Sequence, residues 1–167
     1  MTRLAFRLYW KTFFILSTFL FSVIAVHAQS PVVVGTRLSD SSGTVSISSF
    51  QLQQAVFPLV ESLKTGYSIT GAISIKVGQT SYLLFDAAGP GSDTAVVAIE
   101  LLLTGSNFYL NAGPKGYGVH TCKKKGSCSS CIFFYNHVNK IVGCSCAAVL
   151  QSQDWNCQHR FENVKNN

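Results

Sequence analysis

Six cysteines stand close together in the last third of this 167-residue chain: Cys122, Cys128, Cys131, Cys144, Cys146 and Cys157. Nothing else in the sequence restricts its folding as much, because every covalent cross-link removes most of the arrangements open to the chain it closes. Whether the thiols pair depends on the compartment, since oxidising surroundings drive them to disulfides and the cytosol keeps them reduced.

The amino-terminal residues speak to the compartment. Arg3, Arg7 and Lys11 precede an uncharged run, Thr12 to Val26, and Val26-His27-Ala28 then offers an A-x-A-like cleavage pattern before Gln29. Residues 1–28 therefore read as a secretory signal peptide. The apolar run of 15 residues is shorter than the ~20 that a membrane-spanning helix needs. Cleavage is expected over retention as an anchor, with no stable membrane span afterwards and a secreted or periplasmic location.

Export changes the meaning of the charge. The whole chain carries +6, but the leader holds three of its 13 basic residues, which leaves ten against seven acidic ones. That remainder is uneven. Residues 29–118 carry four basic and five acidic side chains and no Cys, whereas 119–167 carry six basic, two acidic and all six Cys. The expected organisation is a leader at 1–28, a neutral body at 29–118 and a basic, cysteine-rich tail at 119–167, disulfide-bonded and packed on the body. A charged fraction of 12% excludes a disordered polyelectrolyte, and export argues against a nucleic-acid partner.

Within the body, Leu52, Ala55, Val56, Leu59, Val60 and Leu63 recur at helical spacing. Ser48 and Gln51 make a capping box, Gly66 suits a left-handed stop, and Pro58 should kink or break the helix. Period-two alternation follows. Tyr67, Ile69, Ile73, Ile75 and Val77 mark one face of a strand, with further strands at 81–86, 94–103 and 108–111. Gly78-Gln79 and Gly105-Ser106 fit two-residue hairpin turns. The expected fold class is α+β, one amphipathic helix packed on a four-stranded antiparallel meander and followed by a cysteine-rich β-hairpin tail. That element order resembles the cystatin-like architecture of exported inhibitors, without any inhibitory motif to match.

The tail holds most of the chemistry. An even number of Cys in an exported chain reads as three disulfides, and Cys144 and Cys146, two apart on a strand, should reach separate partners rather than each other. The rival reading is a zinc or iron–sulfur site on Cys128, Cys131, Cys144 and Cys146, with His120 and His159 each two residues from a Cys. A third is a redox dithiol at Cys128-x-x-Cys131, although the following Ile132-Phe133-Phe134-Tyr135 reads as strand rather than the helix such a motif opens. Lys123, Lys124, Lys125, Lys140 and Arg160 could meet an anionic partner. Asp86 and Asp93 bracket a turn-rich loop, where carboxylates commonly serve turn chemistry. The sequence has no G-x-S-x-G, H-E-x-x-H or Walker loop, and no cofactor is implied. The function that emerges is a small exported, disulfide-stabilised, non-enzymatic binding module for an extracytoplasmic protein or anionic surface.

Overall fold

A strand flanked on both edges and both faces should be largely apolar, and Thr94 to Thr104 (TAVVAIELLLT) is apolar except at Thr94, Glu100 and Thr104. Its surroundings explain the architecture. The computed structural model describes residues 31–110, 116–126, 128–147 and 157–165. The leader, Trp155 and most of the glycine-rich connector before Tyr117 lie outside them. The described residues form β1 (Val32–Arg37), β2 (Gly43–Val45), α1 (Ser49–Val56), β3 (Ser68–Lys76), β4 (Ser81–Ala88), β5 (Thr94–Thr104), β6 (Asn107–Leu110), β7 (Tyr117–Lys124), β8 (Cys131–Tyr135), β9 (Ile141–Cys146) and β10 (Cys157–Val164).

The α+β expectation is overturned. The described residues are mostly β, with one short α-helix and an eight-stranded antiparallel sheet in place of a helix on four strands. The physical reason is that β5 leaves neither edge open. Over Ala95–Ile99 it pairs with β4 on one side and β7 on the other. β7, which crosses the compositional break at residue 118, thus enters the centre of the sheet. β10 then pairs with β7 in eight consecutive positions. Such pairing satisfies backbone groups that an open edge would leave exposed.

Past Leu101, β5 pairs with β6, β6 with β1, and β1 with β2. An isolated bridge between Ser42 and Lys76 leads back to β3, which pairs with β4. The pairings therefore close a circuit through β3, β4, β5, β6, β1 and β2. The Gly105-Ser106 turn is a two-residue connection, with Gly105 at φ +62° and Thr104 opposite Asn107. The β3–β4 connection departs from expectation. It is longer, closing at Lys76 opposite Tyr82, and Gly78 is not in the left-handed region. Instead Gly78 abuts the tail, where an added Cβ would lie 3.2 Å from the Asn139 Cβ.

The helix is shorter than the apolar periodicity suggested. Ser48 and Gln51 do form the reciprocal capping box, but α1 stops at Val56 and Pro58 lies in a 3₁₀ turn, Phe57–Leu59. Leu52, Val56, Val60 and Leu63 stay buried on one side despite the break, while Leu59 is exposed. Gly66 ends the segment at φ +73°.

Two cores result. The larger gathers Leu83, Phe85, Val97, Ile99 and Val119 from the central strands with Val34, Phe108 and the α1 side chains. The smaller lies on the opposite face of β4, β5 and β7, where Tyr82, Ala98 and Cys122 meet Phe133 and Ile141 of the β8–β9 hairpin. No helix among the described residues is long and apolar enough to cross a membrane.

Candidate functional site

The smaller core places all six cysteines together. Cys144 and Cys146 project from β9 toward the sheet, Cys131 lies directly opposite Cys146 in the hairpin, and Cys122 faces them from β7. The bonds formed are Cys122–Cys144, Cys128–Cys146 and Cys131–Cys157, with Cα separations of 6.1, 5.6 and 6.0 Å. They tie the hairpin to β7, the hairpin to the loop before it, and β8 to β10. Every cysteine is paired. This pairing occupies the sulfurs that a metal site on Cys128, Cys131, Cys144 and Cys146 would need as thiolates. Cys128 and Cys131 are each bonded elsewhere, not to one another.

The bridges also touch. The Cys128 and Cys157 Sγ atoms, which belong to different disulfides, are 3.6 Å apart. The sulfurs of Cys122, Cys131 and Cys157 all lie within 4.8 Å of one another. A groove of about 250 Å³ reaches this cluster, rimmed by Thr70, Asp86, Thr94, Ser129 and Ser130 and lined inside by Cys122 and Cys131.

A second cluster lies further along the same face. His120 on β7 is 3% exposed, and its Nδ1 is 3.1 Å from Nε2 of His159 on β10. The two rings stack with centroids 5.3 Å apart, and Phe161 packs on His120 at 4.8 Å. On the other side, His120 Nε2 lies 3.5 Å from Glu100 Oε1, at the long limit of a hydrogen bond, and has no nearer partner. The His120 contact is the main cause holding the Glu100 carboxyl below its ordinary range, against the opposing effect of burial. Burial, followed by the charge of His120, pushes the His159 imidazole down.

In the sequence, both histidines stand out as neighbours of cysteines, whereas Glu100 carries no local mark. The available signal was parity. His120 and Cys122 share a face of β7, and His159 is the cross-strand partner of Cys122.

The basic residues do not form one patch. Lys123 and Lys124 end β7 and Lys125 follows them, with Lys123 Nζ 4.5 Å from the Tyr67 ring centre. Lys140 is at the other end of the sheet, where its charge helps lower the Glu100 carboxyl. Gly118, beside Glu100, and Lys124 are six residue steps apart on β7, roughly 20 Å of strand. Arg160 lies on β10, 3.3 Å from Glu162. Among the described residues, Lys123, Lys124 and Lys125 are consecutive at the end of β7, with Lys123 and Lys124 on opposite faces of the strand.

No protein-family model, curated protein or solved structure matches this chain. Function must therefore be argued from the geometry.

Proposed function

We propose that the protein is an exported, non-enzymatic binding module that turns the basic end at Lys123, Lys124 and Lys125 toward an anionic surface. One observation carries this reading. Three disulfides knit β7, the β8–β9 hairpin and β10 into one cross-linked layer, a pattern typical of chains that work in oxidising surroundings. Lys123 and Lys124 end the strand that Cys122–Cys144 anchors, and Lys125 follows directly.

The other chemical groups suit structure better than turnover. The imidazole pair is covered by Phe133 and Phe161. The groove offers the hydroxyls of Thr70, Thr94, Ser129 and Ser130 and the Asp86 carboxylate, and among the described residues no imidazole or amine lines it. The metal-binding alternative requires the same sulfurs as free thiolates, so one measurement separates the two readings. Intact mass of the secreted chain should show residues 1–28 removed and a gain of six hydrogens on reduction. Six free thiols in the folded protein would sink the proposal.

Binding is tested with vesicles. Phosphatidylglycerol vesicles should retain the protein at low salt and neutral phosphatidylcholine vesicles should not. Replacing Lys123, Lys124 and Lys125 with Ser should weaken retention about a hundredfold, since each lysine near an anionic surface contributes ~1 kcal/mol. Equal binding to both vesicles, or an unaffected triple variant, would remove the lysines from the contact.

A further inference from the structure

The disulfide cluster has a property that stabilisation alone does not require. Sulfurs of separate bridges are near contact, and a groove reaches two of the bridges, at Cys122 and Cys131. We propose that Cys128, Cys131, Cys146 and Cys157 form a thiol–disulfide exchange site, at which a small thiol entering the groove converts Cys128–Cys146 and Cys131–Cys157 into Cys128–Cys157 and Cys131–Cys146.

Each step has a geometric basis. The entering thiolate bonds to the Sγ of Cys131, one of the two cysteines that line the groove. The Cys131–Cys157 bond breaks, and its electron pair leaves on Cys157. That new thiolate is 3.6 Å from Cys128 Sγ. It bonds to Cys128, the Cys128–Cys146 bond breaks, and the pair leaves on Cys146. Cys146 stands directly opposite Cys131 across the hairpin. It attacks the mixed disulfide on Cys131, and the small thiolate departs. No net oxidation or reduction occurs, and the thiol recovers the proton it shed. Thiolate attack on a disulfide sulfur is the general route for such exchange. Directly opposite residues of an antiparallel pair stand about 4.5–5.5 Å apart between Cα atoms, within the range a disulfide spans.

Register sets the direction. Cys122 also lies near this sulfur group, but displacing its partner would leave a thiolate on Cys144, which faces Phe133 rather than a cysteine. The route through Cys146 releases the entering thiol with a new pairing, whereas a Cys144 thiolate releases it by reforming Cys122–Cys144. The exchange also changes what is tethered. In the pairing described, Cys131–Cys157 holds β10 to the hairpin. In the exchanged pairing the hairpin is stapled to itself and β10 is held to the loop before β8. The Asp86 carboxylate on the groove rim favours a small thiol with a positive charge.

The proposal concerns the oxidised chain itself and does not depend on any anionic partner. Cysteamine, a cationic thiol, is the probe. Oxidised protein is treated with it under native conditions, quenched with acid and mapped for disulfide-linked peptides. The first mixed disulfide is expected on Cys131, with Cys122–Cys144 intact. A first adduct on Cys122, or on all cysteines alike, would overturn the route. Cys146→Ser tests the transfer step without any added thiol. It leaves Cys128 unpaired beside Cys157, so maleimide labelling of the folded variant should divide between Cys128 and Cys131. Labelling confined to Cys128 would overturn the transfer, whatever the cysteamine experiment gave.

Discussion

Glu162 is the side chain whose role is least visible locally. Its carboxylate accepts hydrogen bonds from the Glu61 and Ser62 N–H groups, at 2.8 and 3.1 Å, joining β10 to the turn after α1. Glu162→Gln keeps the shape and one acceptor oxygen but loses the charge that strengthens both bonds. It should cost about 1–2 kcal/mol, read as a lower urea midpoint with an unchanged slope. An unaltered midpoint would mean that water serves these N–H groups equally well. The imidazole pair makes a second prediction at this scale. Burial holds the His159 imidazole below its ordinary value of 6.5, so the unfolded chain binds more protons between 6.5 and the folded value. Stability therefore falls as pH drops through that window. Glu100 is held below 4.5, so its contribution is complete above 4.5 and is lost as pH falls through its folded value. The melting temperature of the wild type should decline in two stages on acidification. His159→Gln should remove the first stage and spare the second. A melting temperature that rises as pH falls from about 7 to 5.5 would contradict the assignment to His159.

Between elements, the hairpin is held to the sheet by a hydrogen bond as well as by sulfur. The Tyr82 side chain is fully buried, and its hydroxyl accepts from the Ile141 N–H at 3.1 Å. Tyr82→Phe leaves that buried N–H without a partner, at a cost of about 1–3 kcal/mol. The Ile141 amide should then exchange with solvent at least tenfold faster, while amides in β4 and β5 change little. No change at Ile141 would show that the disulfides alone hold the hairpin in place. Legibility divided along the same lines. The capping box at Ser48, the left-handed Gly66 and Gly105, and the cores of β3, β4 and β5 could be read because each is decided by residues near one another in sequence. The length of α1 was misjudged because the buried face continues through Val60 and Leu63 after Pro58 has ended the helix. The strand count failed for a different reason. That Ala95–Ile99 would pair with Lys123–Val119, or Cys157 with Lys124, is a choice between edges distant in sequence, and alternation is silent on which edges meet. The candidate site was legible to the same degree. The cysteines could be named, but the partners, the groove and the Glu100 contact all depend on β7 lying beside β5.

The two cores make the whole molecule unequal in its reliance on disulfides. Sequence separations of 22, 18 and 26 residues correspond to about 3 kcal/mol of chain entropy for each bridge. The three loops overlap, so their joint effect is smaller than three independent bridges would give, yet it remains comparable with the ~5–15 kcal/mol net stability of an ordinary domain. That stabilisation is not spread evenly. Cys122, Cys128, Cys131 and Cys146 are themselves buried members of the smaller core, whereas the larger core contains no cysteine and joins side chains from Val34 to Val164. Reduction should therefore act first on the hairpin layer. In the reduced protein, peptides covering β8 and β9 should lose protection from hydrogen exchange at denaturant concentrations where β4 and β5 remain protected. In the oxidised protein, all four should lose protection together. Simultaneous loss in the reduced chain would mean that the larger core cannot stand without the layer on its far face. β7 explains why either result is informative: Val119 packs in the larger core and Cys122 in the smaller, so the same strand must either fray at one end or carry both cores down with it.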